Sequence, residues 1–152
     1  MAFQEVAAAA ARGLLAGLAG TAAMTLSSSV EARLSGRGTS TTPAQAVESL
    51  TGVQPRREEG QQRLNTAAHW AYGTALGVER GLLGLTGLHG PAATAAHLAL
   101  AWGASQGLLP ALDVSPPTWH LGARATSVDV LHHVVYATAT GLAHDWLDAR
   151  TR

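Results

Sequence analysis

Uncharged stretches alternate with short charged ones along this chain, and this pattern is the main guide to its secondary structure. Four stretches contain no Asp, Glu, Lys or Arg: residues 13–30, 64–78, 81–112 and 130–144. The first reaches the ~18 residues that a bilayer-spanning helix requires, and the third is divided by a glycine-rich turn before Pro91. The pattern predicts four helices, near residues 5–34, 65–86, 91–109 and 127–148.

Residues that commonly begin or end helices support these boundaries. Asn65 is expected to cap the second helix, and Pro91 suits the first turn of the third. Pro110 is expected to end the third helix, since proline cannot continue the backbone hydrogen bonding. Thr126, followed three residues later by Asp129, resembles a capping box at the start of the fourth.

The first connection, residues 35–63, is long and polar. Within it, Thr42-Pro43 looks like the cap and first turn of a short helix that ends near Gly52. The predicted fold is all-α. It is a four-helix transmembrane bundle with a short interfacial helix in the first connection, and it forms a single domain over residues 1–152.

Glycines recur at the four-residue spacing that lets membrane helices approach closely. Gly13 and Gly17 form such a pair on the first helix, and Gly73, Gly77 and Gly81 form a ladder on the second. Many close-packing surfaces and almost no extramembrane domain favour a homo-oligomer or a larger membrane complex.

Composition agrees with a lipid environment. Charged residues make up 13% of the chain, against about 25% in ordinary soluble domains. Ten basic and ten acidic residues balance, so no global field points to nucleic acid. We interpret the N-terminal stretch as a retained first helix rather than a cleaved signal peptide. The predicted location is the bacterial inner (plasma) membrane, with several passes through the lipid bilayer.

Polar residues also recur at helical spacing, so each helix carries a polar face. In lipid these faces should turn inward, because exposed polar groups there cost several kcal/mol. One hypothesis is an interior divalent-metal site, since imidazole and carboxylate groups are metal ligands. Its predicted ligands are Glu31, His69, Asp129 and His133. A cofactor such as haem is the second option, held by histidines from among His69, His97, His132 and His133. A proton relay is the third.

Each of these residues also has a structural interpretation. Asp129 stands where a capping residue belongs, Glu31 lies close to a helix end, and His69 and His97 suit hydrogen-bonded interior positions. His144, with Asp145 after it, and the Glu79-Arg80 pair look like interfacial or helix-end groups. The sequence has no cysteine, and it contains no phosphate-binding glycine loop or nucleophile elbow. No catalytic residue is predicted.

The C-terminal third carries a recognisable layout. A Pro116-Pro117 turn with Trp119 leads to a final helix that opens with Asp129 and the His132-His133 pair. This layout resembles the end of the YagU-type small bacterial inner-membrane proteins. The opening GLLAGLAGTAAMTLSSSVEARLSGR and the HWAYGTALGVERG stretch are similar to uncharacterised actinobacterial membrane proteins. The resemblance implies a polytopic inner-membrane protein of unassigned activity, with a loose link to acid tolerance.

Three function classes follow. The first is a small membrane protein that acts as an accessory, channel-like or assembly subunit without catalysis of its own. The second is a metal- or haem-binding membrane protein that uses the interior histidines and carboxylates. A soluble helical binding module is the third, because alanine-rich soluble bundles have a similar composition.

Overall fold

The computed structural model describes residues 2–38 and 40–151, and within these ranges the fold is all-α. Five helices and one 3-10 turn follow each other along the chain: α1 (Phe3–Ser35), α2 (Thr42–Thr51), α3 (Glu58–Leu85), α4 (Gly90–Ala111), the 3-10 turn (Thr118–Leu121) and α5 (Ala123–Thr151). The predicted helical class and the short helix in the first connection are therefore confirmed.

The four long helices form an up-down-up-down bundle. α1 packs against both α3 and α5, α4 packs mainly on α5, and α2 lies on α3. Contacts between residues early in one helix and late in the next show that sequential long helices run antiparallel. Gly13 meets Gly77 where α1 passes α3, and Thr94 of α4 meets Gly141 of α5. The antiparallel order brings the charged ends of the helices together at the two ends of the bundle.

The two predicted sets of small residues meet each other, and their glycines form the close contact between α1 and α3. A Cβ atom added at Gly17 would lie 2.6 Å from the Thr74 carbonyl oxygen and 2.9 Å from the Gly77 Cα. A Cβ at Gly81 would collide with the backbone of Ala9. Only glycine lets the two backbones come this close, so the ladder determines the α1–α3 packing.

The start of α3 differs from the prediction. α3 begins at Glu58, so Asn65 lies inside it and does not cap it. The Asn65 side chain instead caps α2. Its Oδ1 accepts the Ala44 backbone N–H at 3.1 Å, and its Nδ2 donates to the Ser40 carbonyl at 2.8 Å. The capping preference of asparagine is real here, but it serves a neighbouring helix.

Of the other predicted helix boundaries, one is confirmed and two are not. Pro91 lies in the first turn of α4 as predicted, whereas Pro110 falls inside the last turn and does not stop the helix before it. The predicted capping box at Thr126 is wrong, because α5 has already begun at Ala123. The Thr126 hydroxyl donates to the Gly122 carbonyl instead, at 3.1 Å.

Among the described helices, only α1 is both long and apolar enough to cross a membrane. A signal sequence or the core helix of a soluble protein can share these properties, so this is weak evidence. The predicted four-span bundle is not supported by length and composition for α3, α4 and α5. These helices have 28, 22 and 29 residues, but glycine and polar side chains lower their hydropathy.

Candidate functional site

Polar side chains fill the interior of the bundle. The largest fully buried side chains are Arg80, Tyr136, His97, Thr21 and Thr140. The other buried positions are mostly alanine and glycine, and no described Leu, Val, Met or Phe is among them. Large apolar side chains lie on the outside, where 68% of Leu26 and 69% of Leu142 are exposed. This arrangement is the reverse of a water-soluble core.

One polar cluster lies where the C-terminal half of α1 meets the N-terminal halves of α3 and α5, and we call it the Asp129 end. The Thr25 hydroxyl and His69 Nε2 are 3.0 Å apart, and the Ser27 hydroxyl and His132 Nδ1 are 2.9 Å apart. Helical spacing places Thr25 on the same face of α1 as the buried Thr21. His69 of α3 and His132 of α5 are therefore each held by a hydroxyl of α1.

Asp129 holds α4 against α5 within the same cluster. Its Oδ2 accepts the Trp102 indole N–H at 2.7 Å and the Gln106 amide at 3.3 Å. The Gln106 Oε1 accepts the Thr118 backbone N–H at 2.8 Å, which anchors the 3-10 turn. His133 Nδ1 is 2.8 Å from the Asp129 carbonyl oxygen. Asp129 is thus the acceptor at the centre of a three-element hydrogen-bond network.

A second polar cluster, the Arg80 end, lies where the end of α3 meets the start of α4 and the end of α5. The Arg80 guanidinium is 1% exposed, and its Nη2 donates to the Asp145 carboxylate. Arg80 Nε and Nη1, both ring nitrogens of His97 and both of His144 are buried without a hydrogen-bond partner among the described residues. The His97 ring packs edge-on against Tyr136, with ring centres 5.4 Å apart.

Several of the predicted metal ligands belong to the Asp129 end, but they do not form a metal cluster. Within residues 2–38 and 40–151, no group of three or more His, Asp or Glu side chains could hold a metal ion. His69 is held by Thr25, and the carboxylate of Asp129 accepts from Trp102. Glu31 lies near His132.

Three of the four predicted haem ligands, His69, His132 and His133, belong to the Asp129 end, but each has its own partner. His132 contacts Ser27, His133 contacts its own helix at the Asp129 carbonyl, and His97 packs on Tyr136 toward the Arg80 end. Each imidazole has a structural environment of its own. The metal and haem hypotheses therefore gain no geometric support, and they stay predictions.

Sequence reasoning missed the Arg80 end almost entirely. Arg80 and Asp145 looked like separate helix-end charges, yet they pair across α3 and α5. The sequence did indicate that Arg80 points into the bundle, because Arg80 lies on the same helical face as Gly73 and Gly77 of the predicted glycine ladder. Gln106 carried no comparable signal, since its role depends on the turn at Thr118 folding back onto α4.

The chain matches no protein-family model, no curated protein sequence and no solved structure.

Proposed function

We propose that the chain is a multi-pass membrane protein of the bacterial inner membrane that acts as an accessory or assembly subunit without catalysis of its own. In this proposal α1, α3, α4 and α5 cross the bilayer. The observation that carries it is the inverted polarity, with arginine, histidine and threonine inside and leucine outside. Its layout is the one that the YagU-type resemblance implies.

Lipid and water make opposite demands on such a surface. In water, exposed leucines forgo about 25 cal/mol for each Å² of apolar surface that burial would remove. In lipid this cost vanishes, while polar groups must turn inward or find partners. The bundle satisfies the second set of demands. Outward Leu15, Leu26, Leu100 and Leu142 come from three different helices.

Charged groups gather at the two ends of the bundle and leave an uncharged band between them. Arg12 pairs with Asp148 at 3.7 Å, near the Arg80–Asp145 pair at one end. The uncharged stretches of α1, α3 and α5 have 15 to 18 residues, which correspond to about 22 to 27 Å of helix. With snorkelling side chains at both ends, this band approaches the hydrocarbon thickness of about 30 Å.

An outward ladder on α4 supports the assembly role. Ala95, Ala99, Gly103 and Gly107 recur every four residues and are all exposed. A Cβ at Gly103 or Gly107 would meet nothing within 4 Å, whereas the similar ladder on α3 is occupied by α1. We propose that this face of α4 packs against a second copy of the chain in the membrane.

The membrane proposal is tested by substituted-cysteine labelling, for which the cysteine-free chain is suited. In intact cells, an impermeant maleimide should label either Ser40→Cys and Ser115→Cys or Leu88→Cys but not both sets, because they lie on opposite sides, and broken membranes should allow labelling of all three. Leu142→Cys, in the middle of α5, should resist labelling until detergent is added. Recovery of the protein in the supernatant without detergent, or ready labelling of Leu142→Cys, would refute the proposal.

Oxidative cross-linking in membranes tests the assembly role. Ala99→Cys should form a disulfide-linked dimer, and Leu142→Cys on α5 serves as the matched lipid-facing control. Equal cross-linking at both positions would indicate random collision. Loss of the Ala99→Cys dimer on dilution into excess lipid would argue against a specific contact.

A further inference from the structure

One face of α5 points away from the bundle along nearly the whole length of the helix. Between residues 124 and 150 the exposed positions return every three or four residues, so they share one side of the helix. In the middle of this face only four side chains are exposed, and three of them are apolar: Leu131, Val134, Thr138 and Leu142. We call these four residues the α5 band.

The α5 band has polar residues at both ends and the length of a lipid interior. Ser127 lies one turn before Leu131, and Asp145, which pairs with Arg80, lies one turn after Leu142. From Ser127 to Asp145 the helix rises about 27 Å, and the hydrocarbon core of a bilayer is about 30 Å thick. The outward face of α5 therefore matches the acyl-chain region between two polar boundaries.

A half-exposed tryptophan lies at the first of these boundaries. Trp119 of the 3-10 turn is 53% exposed, and its ring lies edge-on against the ring of Trp102, with centres 6.3 Å apart. Trp102 in turn donates to Asp129 at 2.7 Å, two residues beyond Ser127. These two contacts place the Trp119 ring close to the depth of the Ser127 turn.

A second half-exposed tryptophan lies at the other boundary. Trp146 directly follows Asp145 and is 54% exposed, and the Arg150 guanidinium lies over its ring, 4.0 Å from the ring centre. Indole rings favour the boundary between hydrocarbon and headgroups, because the ring is apolar while its N–H needs a polar partner. A guanidinium stacked on an indole at that depth is within reach of lipid phosphates.

The side chains of this face favour lipid over a second copy of the chain. Leu131 and Leu142 are bulky and are 52% and 69% exposed. The faces of α3 and α4 that suit helix contacts carry glycine and alanine instead, which let two backbones approach closely.

We propose that phospholipids cover the outward face of α5, with Trp119 in one headgroup layer, Trp146 and Arg150 in the other, and the α5 band against the acyl chains. This inference rests on the proposed membrane location and adds the depth at which the bundle lies. The middle of the bilayer then falls near Tyr136, midway between Ser127 and Asp145.

Nitroxide labels along the face measure this depth. Single cysteines replace Ser127, Leu131, Thr138, Leu142 or Ala149 in the cysteine-free chain, and the labelled proteins are reconstituted into phosphatidylcholine vesicles. The ratio of relaxation by oxygen to relaxation by a water-soluble nickel chelate should be highest at Thr138 and fall toward Ser127 and Ala149. A maximum displaced by more than one further turn, about 5 Å, would overturn the inference and leave the membrane location intact.

Two other results of this measurement have different meanings. Equal access of the nickel chelate to all five labels would overturn the membrane location together with the inference. Weak relaxation of the Leu131 and Leu142 labels by both reagents would show that protein covers the face, and it would overturn the inference alone.

Quenching by brominated phosphatidylcholine tests the two tryptophans. The emission lost in Trp119→Phe or in Trp146→Phe, relative to the unsubstituted protein, isolates the contribution of each ring. Both contributions should be quenched more strongly by bromine near the headgroup than by bromine near the end of the acyl chain. Thr138→Trp is the matched control, and its added emission should show the opposite preference. Equal or deeper quenching of Trp119 or Trp146 would overturn the inference.

Discussion

Replacement of Gly17 by alanine is the sharpest test of how α1 and α3 are held together. The new Cβ would lie 2.6 Å from the Thr74 carbonyl oxygen, 2.9 Å from the Gly77 Cα and 3.1 Å from the Gly73 carbonyl oxygen. All three are backbone atoms, so no side-chain rotation can relieve the contact. To restore an ordinary contact of 3.4 Å, the helices must separate locally by about 0.8 Å.

Two opposing effects determine the size of the change. Overpacking of a close interface costs about 1–3 kcal/mol, whereas alanine is better than glycine inside a helix by about 0.5–1 kcal/mol. We expect Gly17→Ala to lower the free energy of unfolding by about 1–2 kcal/mol. The steric effect wins because α1 and α3 share the largest interface in the bundle.

Gly84→Ala is the matched control, since it places the same methyl group on a helix without a collision. Its nearest neighbour would be His144 Cε1 at the ordinary distance of 3.9 Å. We expect it to raise stability by about 0.5–1 kcal/mol. Both variants are to be measured in the same buffer.

The assay is unfolding by sodium dodecyl sulfate from mild detergent, followed by helical circular dichroism. The two variants should shift the midpoint in opposite directions. A Gly17→Ala variant as stable as Gly84→Ala would refute the close backbone approach. A loss in both would mean that any added methyl group disturbs the bundle.

Three further changes test single hydrogen bonds by the same assay. Tyr136→Phe removes the 2.6 Å bond to the buried Gly73 carbonyl and should cost about 1 kcal/mol; an unchanged midpoint would contradict that bond. Asp129→Ala leaves the Trp102 N–H without its acceptor and should cost about 1–3 kcal/mol and shift tryptophan emission. Asp129→Asn keeps an acceptor and should lose less, and equal losses would rule out this role. Asn65→Ala removes the cap of α2 and should cost about 1 kcal/mol and speed proteolysis of α2; unchanged proteolysis would contradict the cap.

The helices were largely predictable because their signals are local. Uncharged stretches, Pro91 and the glycine turns punctuate the chain within a few residues of the observed boundaries. The start of α3 was missed because the prediction began the helix only where its uncharged part begins. A helix continues beyond that point when its charged first turns, such as those around Glu58, can lie in water.

The polar site was predictable only in part. Helical spacing correctly placed His69 and His97 on inward faces, whereas on α5 it chose His133 and the more deeply buried histidine is His132. It could not distinguish Asp129 as a helix cap from Asp129 as the acceptor of Trp102, because both roles suit the same local sequence. Arg80 and Asp145 are 65 residues apart in the chain, and no local pattern pairs them.

The sequence by itself determined that the chain is helical, that each long helix has one polar face, and that the first helix and α3 each carry glycines at the spacing of a close-packing face. Only the tertiary structure decided which polar faces meet, and so which histidine contacts a hydroxyl and which stays unsatisfied beside Arg80. The physical reason is that the 3.6-residue period assigns residues to a face of their own helix. The rotation and register of one helix against another depend on close packing summed over the whole bundle.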